Sequence, residues 1–148
     1  MPYICGNNKI VLGERNVFYA AELWIEDNNG LISFGNKNRI EGKTHIAVIE
    51  GTSIIFKNEC LFSSDVIFRT GDSDSTSGNR INPSRSIEIL DKVWFRNKAV
   101  VLKGVRIEND CIVGSGAIVT KSVPANSIVA GNPAKIVKSG VKWNIIRI

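Results

Sequence analysis

Leucine, histidine and methionine are scarce in this chain of 148 residues, which contains one histidine, one methionine and 4 prolines. Leucine occurs only 6 times, whereas isoleucine and valine together occur 35 times and asparagine 15 times. β-Branched residues favour strands, and asparagine favours turns. These counts exclude an all-α fold, and the length suits a single domain with its own core.

Ligands for metal ions and partners for disulfide bonds are also few. His45 is the single histidine, and the three cysteines, Cys5, Cys60 and Cys111, are odd in number and have no Cys-x-x-Cys spacing. Zinc sites and disulfide frameworks need clustered or paired ligands of these types. We therefore expect neither a metal site nor a disulfide scaffold.

Long apolar runs are missing as well. No stretch approaches the roughly 18 apolar residues of a membrane span, and Met1-Pro2-Tyr3 does not begin a signal peptide. The formal net charge of +5 favours an anionic ligand, but no clustered basic segment suggests nucleic-acid binding. These features predict a cytoplasmic protein with no membrane span and no nucleic-acid partner.

Apolar residues recur at every sixth position over much of the chain. In the second half the run has no gap, and another small or β-branched residue follows each member by four positions. Neither a helical period of 3.6 residues nor simple strand alternation produces this spacing. The first series is Ile89, Phe95, Val101, Ile107, Val113 and Val119, the second is Val93, Ala99, Val105, Cys111, Ala117 and Val123, and upstream units contain Phe34, Ile40, Ile46, Phe56, Phe62 and Phe68.

Sixfold spacing predicts an all-β solenoid of hexapeptide repeats. Each unit supplies a short strand and a corner, and three units close a triangular coil of about 18 residues. The coils stack about 4.8 Å apart, which is the ordinary spacing between strands. Because the inward positions must be compact, we expect Cys60 and Cys111 to be small buried hydrophobic residues.

Two segments interrupt the repeats. Residues 71–80 contain no apolar side chain, so we predict a protruding loop near residues 71–86, and such interruptions often carry the function of a solenoid. Pro124 and Pro133 mark the second break, where we expect a tight final turn. We assign residues 1–138 to the β-helix domain and residues 139–148 to a short C-terminal tail.

The C-terminal sequence resembles the hexapeptide-repeat acyltransferases. The resemblance is carried by Val113-Gly114-Ser115-Gly116-Ala117-Ile118-Val119-Thr120-Lys121, by Pro124 and by Ala130-Gly131-Asn132-Pro133-Ala134-Lys135. Within that superfamily the chain is most similar to the sugar O-acetyltransferases. The resemblance implies a left-handed parallel β-helix, a homotrimer, and acetyl-CoA and a sugar or polysaccharide acceptor bound in grooves between subunits.

The resemblance also implies cofactor contacts along the last coils. Ser115 and Thr120 would contact the pantetheine arm, and Lys135 and Lys138 would approach the adenosine phosphates of acetyl-CoA. Lysines that converge from a fixed turn suit a phosphate-rich ligand, although each lysine taken alone is equally compatible with an ordinary solvated surface. The complete set of implied contacts is Asn97, Ser115, Thr120, Lys121, Lys135 and Lys138.

Trp94 corresponds to a tryptophan that lines the acceptor pocket in the resembled family. Its position between Val93 and Phe95, both inward, predicts an outward indole. A large exposed aromatic ring usually has a partner. We expect Trp94 to line a groove, and the alternative is a partly buried aromatic residue on a coil.

The catalytic position departs from the resembled family, whose members carry a histidine in the protruding loop. Here the segment reads Gly71-Asp72-Ser73-Asp74-Ser75, with Asp74 in the place of the histidine. An ordinary aspartate has a pKa of about 3.9, and its lower basicity alone costs roughly ten- to a hundredfold in rate. Three interpretations stay open: a working base with a raised pKa, slow transfer by proximity alone, and a degenerate or deliberately altered chain that binds without turnover.

His45 is the other candidate for a base. Its place near the end of the unit that begins at Ile40 predicts a corner, and stacking of equal coils does not bring it to Asp74. We therefore expect a surface or hydrogen-bonded structural histidine.

The leading hypothesis for function is an acetyl-CoA-dependent O-acetyltransferase that acts on a sugar hydroxyl, in the synthesis of a surface polysaccharide. N-acetylation of an amino sugar is a close variant, because an amine needs less help from a base. The alternative from another class is a non-catalytic scaffold that keeps the CoA groove. Binding of acetyl-CoA and turnover distinguish these hypotheses.

Overall fold

The computed structural model describes residues 3–4, 8–26, 28–71 and 83–143. These residues form sixteen strands and no helix, which confirms the predicted all-β class, and none of them lies in a helix that could cross a membrane. The strands are β1 (Tyr3–Ile4), β2 (Lys9–Leu12), β3 (Val17–Ile25), β4 (Leu31–Phe34), β5 (Arg39–Val48), β6 (Ser53–Phe56), β7 (Leu61–Phe62), β8 (Val66–Arg69), β9 (Ile87–Ile89), β10 (Trp94–Phe95), β11 (Val100–Val101), β12 (Arg106–Ile107), β13 (Ile112–Val113), β14 (Ile118–Val119), β15 (Ser127–Gly131) and β16 (Ala134–Ser139).

The strands form three faces of a prism, and nearly all of them pair in parallel. Face 1 is a sheet made of β2, β4, β6, β9 and β12. The other sheet bends, because β5 pairs with β7 through residues 39–40 and with β8 through residues 44–47. Face 2 consists of the first parts of β3 and β5 with β7, β10, β13, β15 and β16, and face 3 consists of the later parts of β3 and β5 with β8, β11 and β14.

The number of residues per coil differs between the two halves of the chain. Asp91 and Asn109, which occupy the same corner in successive coils, are 18 residues apart, as predicted. The prediction is wrong upstream, where Asn36 and Asn58 stack with a separation of 22 residues. The physical reason is the long strand β5, whose 10 residues run continuously across faces 2 and 3.

Side chains at the sixfold positions fill the interior of the prism. Every member of both series, and each predicted upstream phenylalanine and isoleucine, is buried. Phenylalanine rings from successive coils pack on one another, with centroids 4.6 Å apart for Phe34 and Phe56 and 5.2 Å apart for Phe62 and Phe95. The predicted core is therefore confirmed, and it extends through both halves of the described chain.

Cys60 and Cys111 are buried in this core, as expected. Their thiols donate to carbonyl oxygens of a neighbouring coil, Cys60 to Leu90 and Cys111 to Pro124, each at 3.1 Å. Burial raises the pKa of Cys60 to about 12 and also raises the pKa of Cys111. Neither thiol can act as a nucleophile near neutral pH, because the thiolate is the reactive form.

Asparagine side chains link the corners of successive coils. Oδ1 of Asn58 accepts a hydrogen bond from the backbone N–H of Asn36 at 2.8 Å. Asn38 is fully buried, and its amide accepts from the backbone N–H of Cys60 at 3.0 Å and donates to the carbonyl of Lys57 at 2.9 Å. These bonds satisfy backbone groups that the corners leave outside the strand ladders.

The chain ends its last coil in an antiparallel hairpin. β15 pairs with β13 in parallel and with β16 in antiparallel fashion, and the peptide bond between Asn132 and Pro133 at the turn is cis. The basic segment from Ile136 onward therefore begins as strand, up to Ser139. The proposed boundary between a domain at 1–138 and a tail at 139–148 stays a prediction.

Candidate functional site

The segment predicted to form the catalytic loop joins β8 to β9, at the corner between faces 3 and 1. Its base is closed by two bonds: the backbone N–H of Arg85 donates to the carbonyl of Thr70 at 2.8 Å, and that of Ser84 donates to Oε2 of Glu50 at 3.2 Å. Asp74 lies outside the described residues. Its catalytic role therefore stays a prediction.

Three of the predicted cofactor contacts lie at the corner between faces 2 and 3. Asn97 and Ser115 occupy successive coils there, since the backbone N–H of Gly116 donates to the carbonyl of Asn97 at 2.9 Å. Lys135 belongs to the next layer, where it pairs with Ala130 of β15. Asn97, Ser115 and Lys135 are all exposed, and we call this set the Asn97 corner.

The other three predicted contacts lie elsewhere. Thr120 and Lys121 follow β14 at the corner between faces 3 and 1, on the side where the loop emerges. Lys138 pairs with Ile128, near the start of β15 rather than its end. The fold therefore separates Thr120 and Lys121 from the Asn97 corner by the width of face 3.

Trp94 lies on face 2 and is half-buried, with its indole directed outward as predicted. Nε1 donates to Oγ of Ser63 at 3.3 Å, and the guanidinium carbon of Arg96 lies 5.1 Å from the ring centroid. Trp143 packs against the same ring, with the two centroids 5.8 Å apart. The indole thus meets aromatic and cationic partners within its own chain.

Trp143 is a neighbour of Trp94 that sequence reasoning missed. Its Nε1 donates to the carbonyl of Lys92 at 2.8 Å, which holds the segment after β16 against face 2. Its position in an otherwise basic tail could have indicated a packing partner, because an indole usually packs its apolar body and satisfies its N–H.

A pocket of about 310 Å³ opens on the outer side of face 3. Three neighbouring strands, β3, β5 and β8, form its floor, and Arg69 at the end of β8 places it beside the base of the loop. Charged side chains of both signs surround a short apolar patch. The lining residues are Glu22, Lys43, His45, Asp65, Val66, Ile67 and Arg69.

The predicted corner position of His45 is wrong. His45 lies inside β5, where it pairs with Glu22 of β3 and Ile67 of β8. The long strand β5 carries the chain across two faces, so the phase of the sixfold repeat does not locate a corner there. The imidazole is 28% exposed and lines the pocket.

Glu22 links the basic groups of this pocket. Its Oε1 lies 3.2 Å from Nζ of Lys43, and its Oε2 lies 3.4 Å from Nδ1 of His45. Hydrogen bonds from Lys43 and then from His45 hold the pKa of the Glu22 carboxyl below its ordinary value. The carboxylate is therefore ionised throughout the neutral range.

Among the described residues, no group of three or more histidine, cysteine, aspartate or glutamate side chains is placed to hold a metal ion.

Two curated relatives are similar in sequence to this chain. The polysialic acid O-acetyltransferase of Escherichia coli O1:K1 / APEC is 33% identical over 100 residues, which are 65% of this chain and 33% of the relative. A protein of Escherichia coli K12 with the provisional name lipopolysaccharide biosynthesis O-acetyl transferase WbbJ is 32% identical over 121 residues, 74% of this chain and 61% of the relative. Both of these homologues are O-acetyltransferases by name. The chain spans less than two thirds of either relative, and no profile of a protein family matches it.

Solved structures of acetyltransferases share the fold. The polySia-specific acetyltransferase NeuO superposes with a TM-score of 0.62 at 26% identity, over 95% of this chain and 80% of that one. A hexapeptide-repeat acetyltransferase of Vibrio cholerae O1 biovar eltor, complexed with acetyl-CoA, superposes with a TM-score of 0.58 at 22% identity, over 87% and 72%. The predicted left-handed parallel β-helix is confirmed.

Proposed function

We propose that this chain is an acetyl-CoA-dependent O-acetyltransferase that acts on a sugar hydroxyl in the biosynthesis of a surface polysaccharide. The observation that carries the proposal is the similarity to O-acetyltransferases of polysialic acid and lipopolysaccharide. An exposed corner suited to CoA and a pocket with cationic groups support it. We place the reaction in the cytoplasm, where acetyl-CoA is supplied.

The Asn97 corner fits the donor. A Cβ built on the adjacent Gly116 would have no atom within 4 Å, so the backbone beside Ser115 is open to a ligand. In this proposal Ser115 contacts the pantetheine arm, and Lys135 and Lys138 on the exposed strand β16 attract the phosphates. When bound, acetyl-CoA supplies the thioester carbonyl that the acceptor hydroxyl attacks.

Thr120 and Lys121 suggest that the donor site is shared between subunits. They lie across face 3 from the Asn97 corner, and Trp94 lies on face 2 while the loop leaves the corner between faces 3 and 1. Neighbouring prisms in a homotrimer would bring a corner of one chain to a face of the next. We propose this arrangement, in which each groove draws its residues from two chains.

The pocket on face 3 suits an acidic acceptor. Lys43, His45 and Arg69 contribute basic groups to it, whereas Asp65 and Glu22, which lies 3.2 Å from Lys43, contribute carboxylates. Arg69 has a guanidinium that can bind a carboxylate through two parallel hydrogen bonds. We propose that the acceptor is a carboxylate-bearing polysaccharide, with polysialic acid as the first candidate.

The loop contributes Asp74 where the resembled family has its catalytic histidine. In our proposal this replacement removes an imidazole from the loop and leaves a much weaker base there. Transfer then depends on the orientation of donor and acceptor, which can itself supply several kcal/mol, and on any base outside the loop.

Calorimetric titration of the full chain with acetyl-CoA tests the donor site. We expect saturable micromolar binding at about one site per chain. Transfer is then measured as CoA thiol released in the presence of polysialic acid. Absence of binding at millimolar acetyl-CoA would contradict the proposal and favour the scaffold, whereas binding without transfer to any sugar would indicate a degenerate enzyme.

A further inference from the structure

On the outer side of face 3, inside the pocket, the histidine His45 lies next to the carboxylate of Glu22. Glu22, His45 and Ile67 are directly paired positions on β3, β5 and β8. His45 is 28% exposed on its side chain, so the imidazole is partly desolvated and still reachable by a ligand. Trp24, the next outward residue on β3, has its ring centroid 6.4 Å from that of His45.

The contact with Glu22 orients the imidazole. Nδ1 of His45 lies 3.4 Å from Oε2 of Glu22, and the carboxylate, which is ionised, can only accept a hydrogen bond. Nδ1 therefore carries the proton in the neutral ring, and Nε2 has its lone pair free. A carboxylate that fixes the tautomer and stabilises the imidazolium is the arrangement that makes a histidine an effective base.

Groups from every strand of the pocket face this histidine. Glu22 lies on β3 and Lys43 lies on β5 itself. Arg69 lies on β8, and Asp65 lies at the corner just before β8. Lys43 is held by the other oxygen of Glu22 at 3.2 Å. The backbone N–H of Asp65 donates to the carbonyl of Lys43 at 2.6 Å, which fixes the rim of the pocket.

We propose that His45 is the general base for acetyl transfer and that Glu22 is its positioning residue. This inference rests on the proposed function. Nε2 of His45 takes the proton of the acceptor hydroxyl as its oxygen bonds to the carbonyl carbon of the acetyl thioester. The carbon–sulfur bond then breaks, and the proton passes from His45 to the leaving thiolate, so the products are the O-acetyl sugar and CoA with a free thiol.

The position of the pocket agrees with this role. Arg69 is the last residue of β8, so the pocket lies directly beside the base of the loop in which the resembled family carries its histidine. A base on the rigid strand β5 would compensate for an aspartate at position 74. Arg69 and Lys43 would hold the carboxylate of the acceptor so that a hydroxyl reaches Nε2.

Three variants of the full chain test the assignment. His45→Gln keeps the size and polarity but removes the base, and we expect kcat for CoA release with polysialic acid to fall by about 10²-fold or more, while acetyl-CoA binds as tightly as before. His45→Ala should lower kcat by the same factor, and added imidazole should restore part of the lost activity. Glu22→Gln should lower kcat by about tenfold with a smaller change in KM.

Glu41→Gln is the matched control. Glu41 lies on the same strand and pairs with Arg39 at 3.0 Å on the exposed surface, outside the pocket, so its removal should leave kcat within about twofold of the wild type. Because the chain has one histidine, its imidazole resonances in a proton NMR spectrum are assigned without further labelling. They should shift when polysialic acid is added to the wild type.

The outcomes separate this inference from the proposed function. A wild-type rate in His45→Gln, or no rescue of His45→Ala by imidazole, would overturn the role of His45 while acetyl transfer itself stands. Acetyl-CoA binding with no transfer and with histidine resonances unmoved by polysialic acid would overturn it too. A wild type that does not bind acetyl-CoA would overturn the proposed function as a whole.

Discussion

Side chains from different coils meet on the outer surface, and their partners determine what they can do. Glu22 and His45 are 23 residues apart in the chain, yet they are neighbours because one upstream coil separates them. Trp94 and Trp143 come together for another reason, because the segment after β16 folds back over face 2. A residue on this solenoid therefore acquires its chemistry from the coil above or below.

Asp74→His would restore the side chain that the resembled family carries in the loop. We expect Asp74→His to raise acetyl transfer to polysialic acid by about ten- to a hundredfold, because an imidazole is a much stronger base than a carboxylate. The measurement is kcat for CoA release. The control is Asp74→Asn, which has no basic group. An unchanged or lower rate in Asp74→His would contradict the placement of position 74 beside the reacting hydroxyl.

Corners are the elements that hold successive coils in register. At each corner of face 1 with face 2, an asparagine or aspartate side chain bonds to a backbone N–H of the adjacent coil, as Asn58 does to Asn36 and Asp91 does to Asn58. The inward residue Asn38 makes such bonds in the interior of the prism. The cost of losing a corner bond should therefore depend on burial.

Asn38→Ala and Asn36→Ala compare an interior and an exposed asparagine of the same corner. Asn38 is fully buried, so its loss strands the N–H of Cys60 without a partner and removes one of the two hydrogen bonds to the carbonyl of Lys57, which should lower the free energy of unfolding by about 2–4 kcal/mol. Asn36→Ala should cost about 0.5–1 kcal/mol, since water replaces the lost bond. Urea unfolding measures both, and equal losses would contradict the buried role of Asn38.

The hairpin of β15 and β16 presents the lysines that we assign to the donor phosphates. Reversal of both charges, Lys135→Glu with Lys138→Glu, should weaken acetyl-CoA binding by at least about tenfold, because two attractive charges become repulsive. Calorimetry gives the dissociation constant. The control is Lys9→Glu with Lys57→Glu, which makes the same change in net charge at exposed positions along face 1. An equal loss of acetyl-CoA affinity in this control would show that only the overall charge matters.

At the scale of the whole molecule, one continuous core runs through coils of different lengths. Stacked corner residues are 22 residues apart upstream, 33 apart across the segment between β8 and β9, and 18 apart downstream. Phe62, in the coil of 33 residues, packs directly on Phe95 in the first coil of 18 residues, with a centroid separation of 5.2 Å. The longer coils broaden faces 2 and 3, where the pocket lies. The shorter coils carry the Asn97 corner.

The oligomeric state is a property of the whole molecule. We expect sedimentation equilibrium to give three times the chain mass of 16.2 kDa, because the proposed groove takes residues from two neighbouring prisms. Mixing His45→Gln with the Lys135→Glu, Lys138→Glu variant and refolding them together should restore part of the activity that each lacks alone. A monomeric wild type would contradict the shared groove.

Much of the fold follows from the sequence, and less of the site does. The sixfold series identified every interior position from Ile89 to Val123, because a narrow prism accepts only compact apolar side chains at a fixed spacing. The same spacing misplaced His45, since β5 crosses two faces without the corner that a hexapeptide unit would make. It gave no indication of Trp143 on Trp94, because that contact joins the end of the chain to a distant coil.

The sequence by itself determined the all-β class, the stacked coils and the burial of Cys60 and Cys111. Each of these depends on local spacing and residue type, which are repeated from coil to coil. Only the tertiary structure decided that upstream coils take 22 residues, that Glu22 lies beside His45 in a pocket, and that the predicted cofactor contacts lie at more than one corner of the prism. These features depend on which residues of successive coils stack on one another. The length of each coil sets that register.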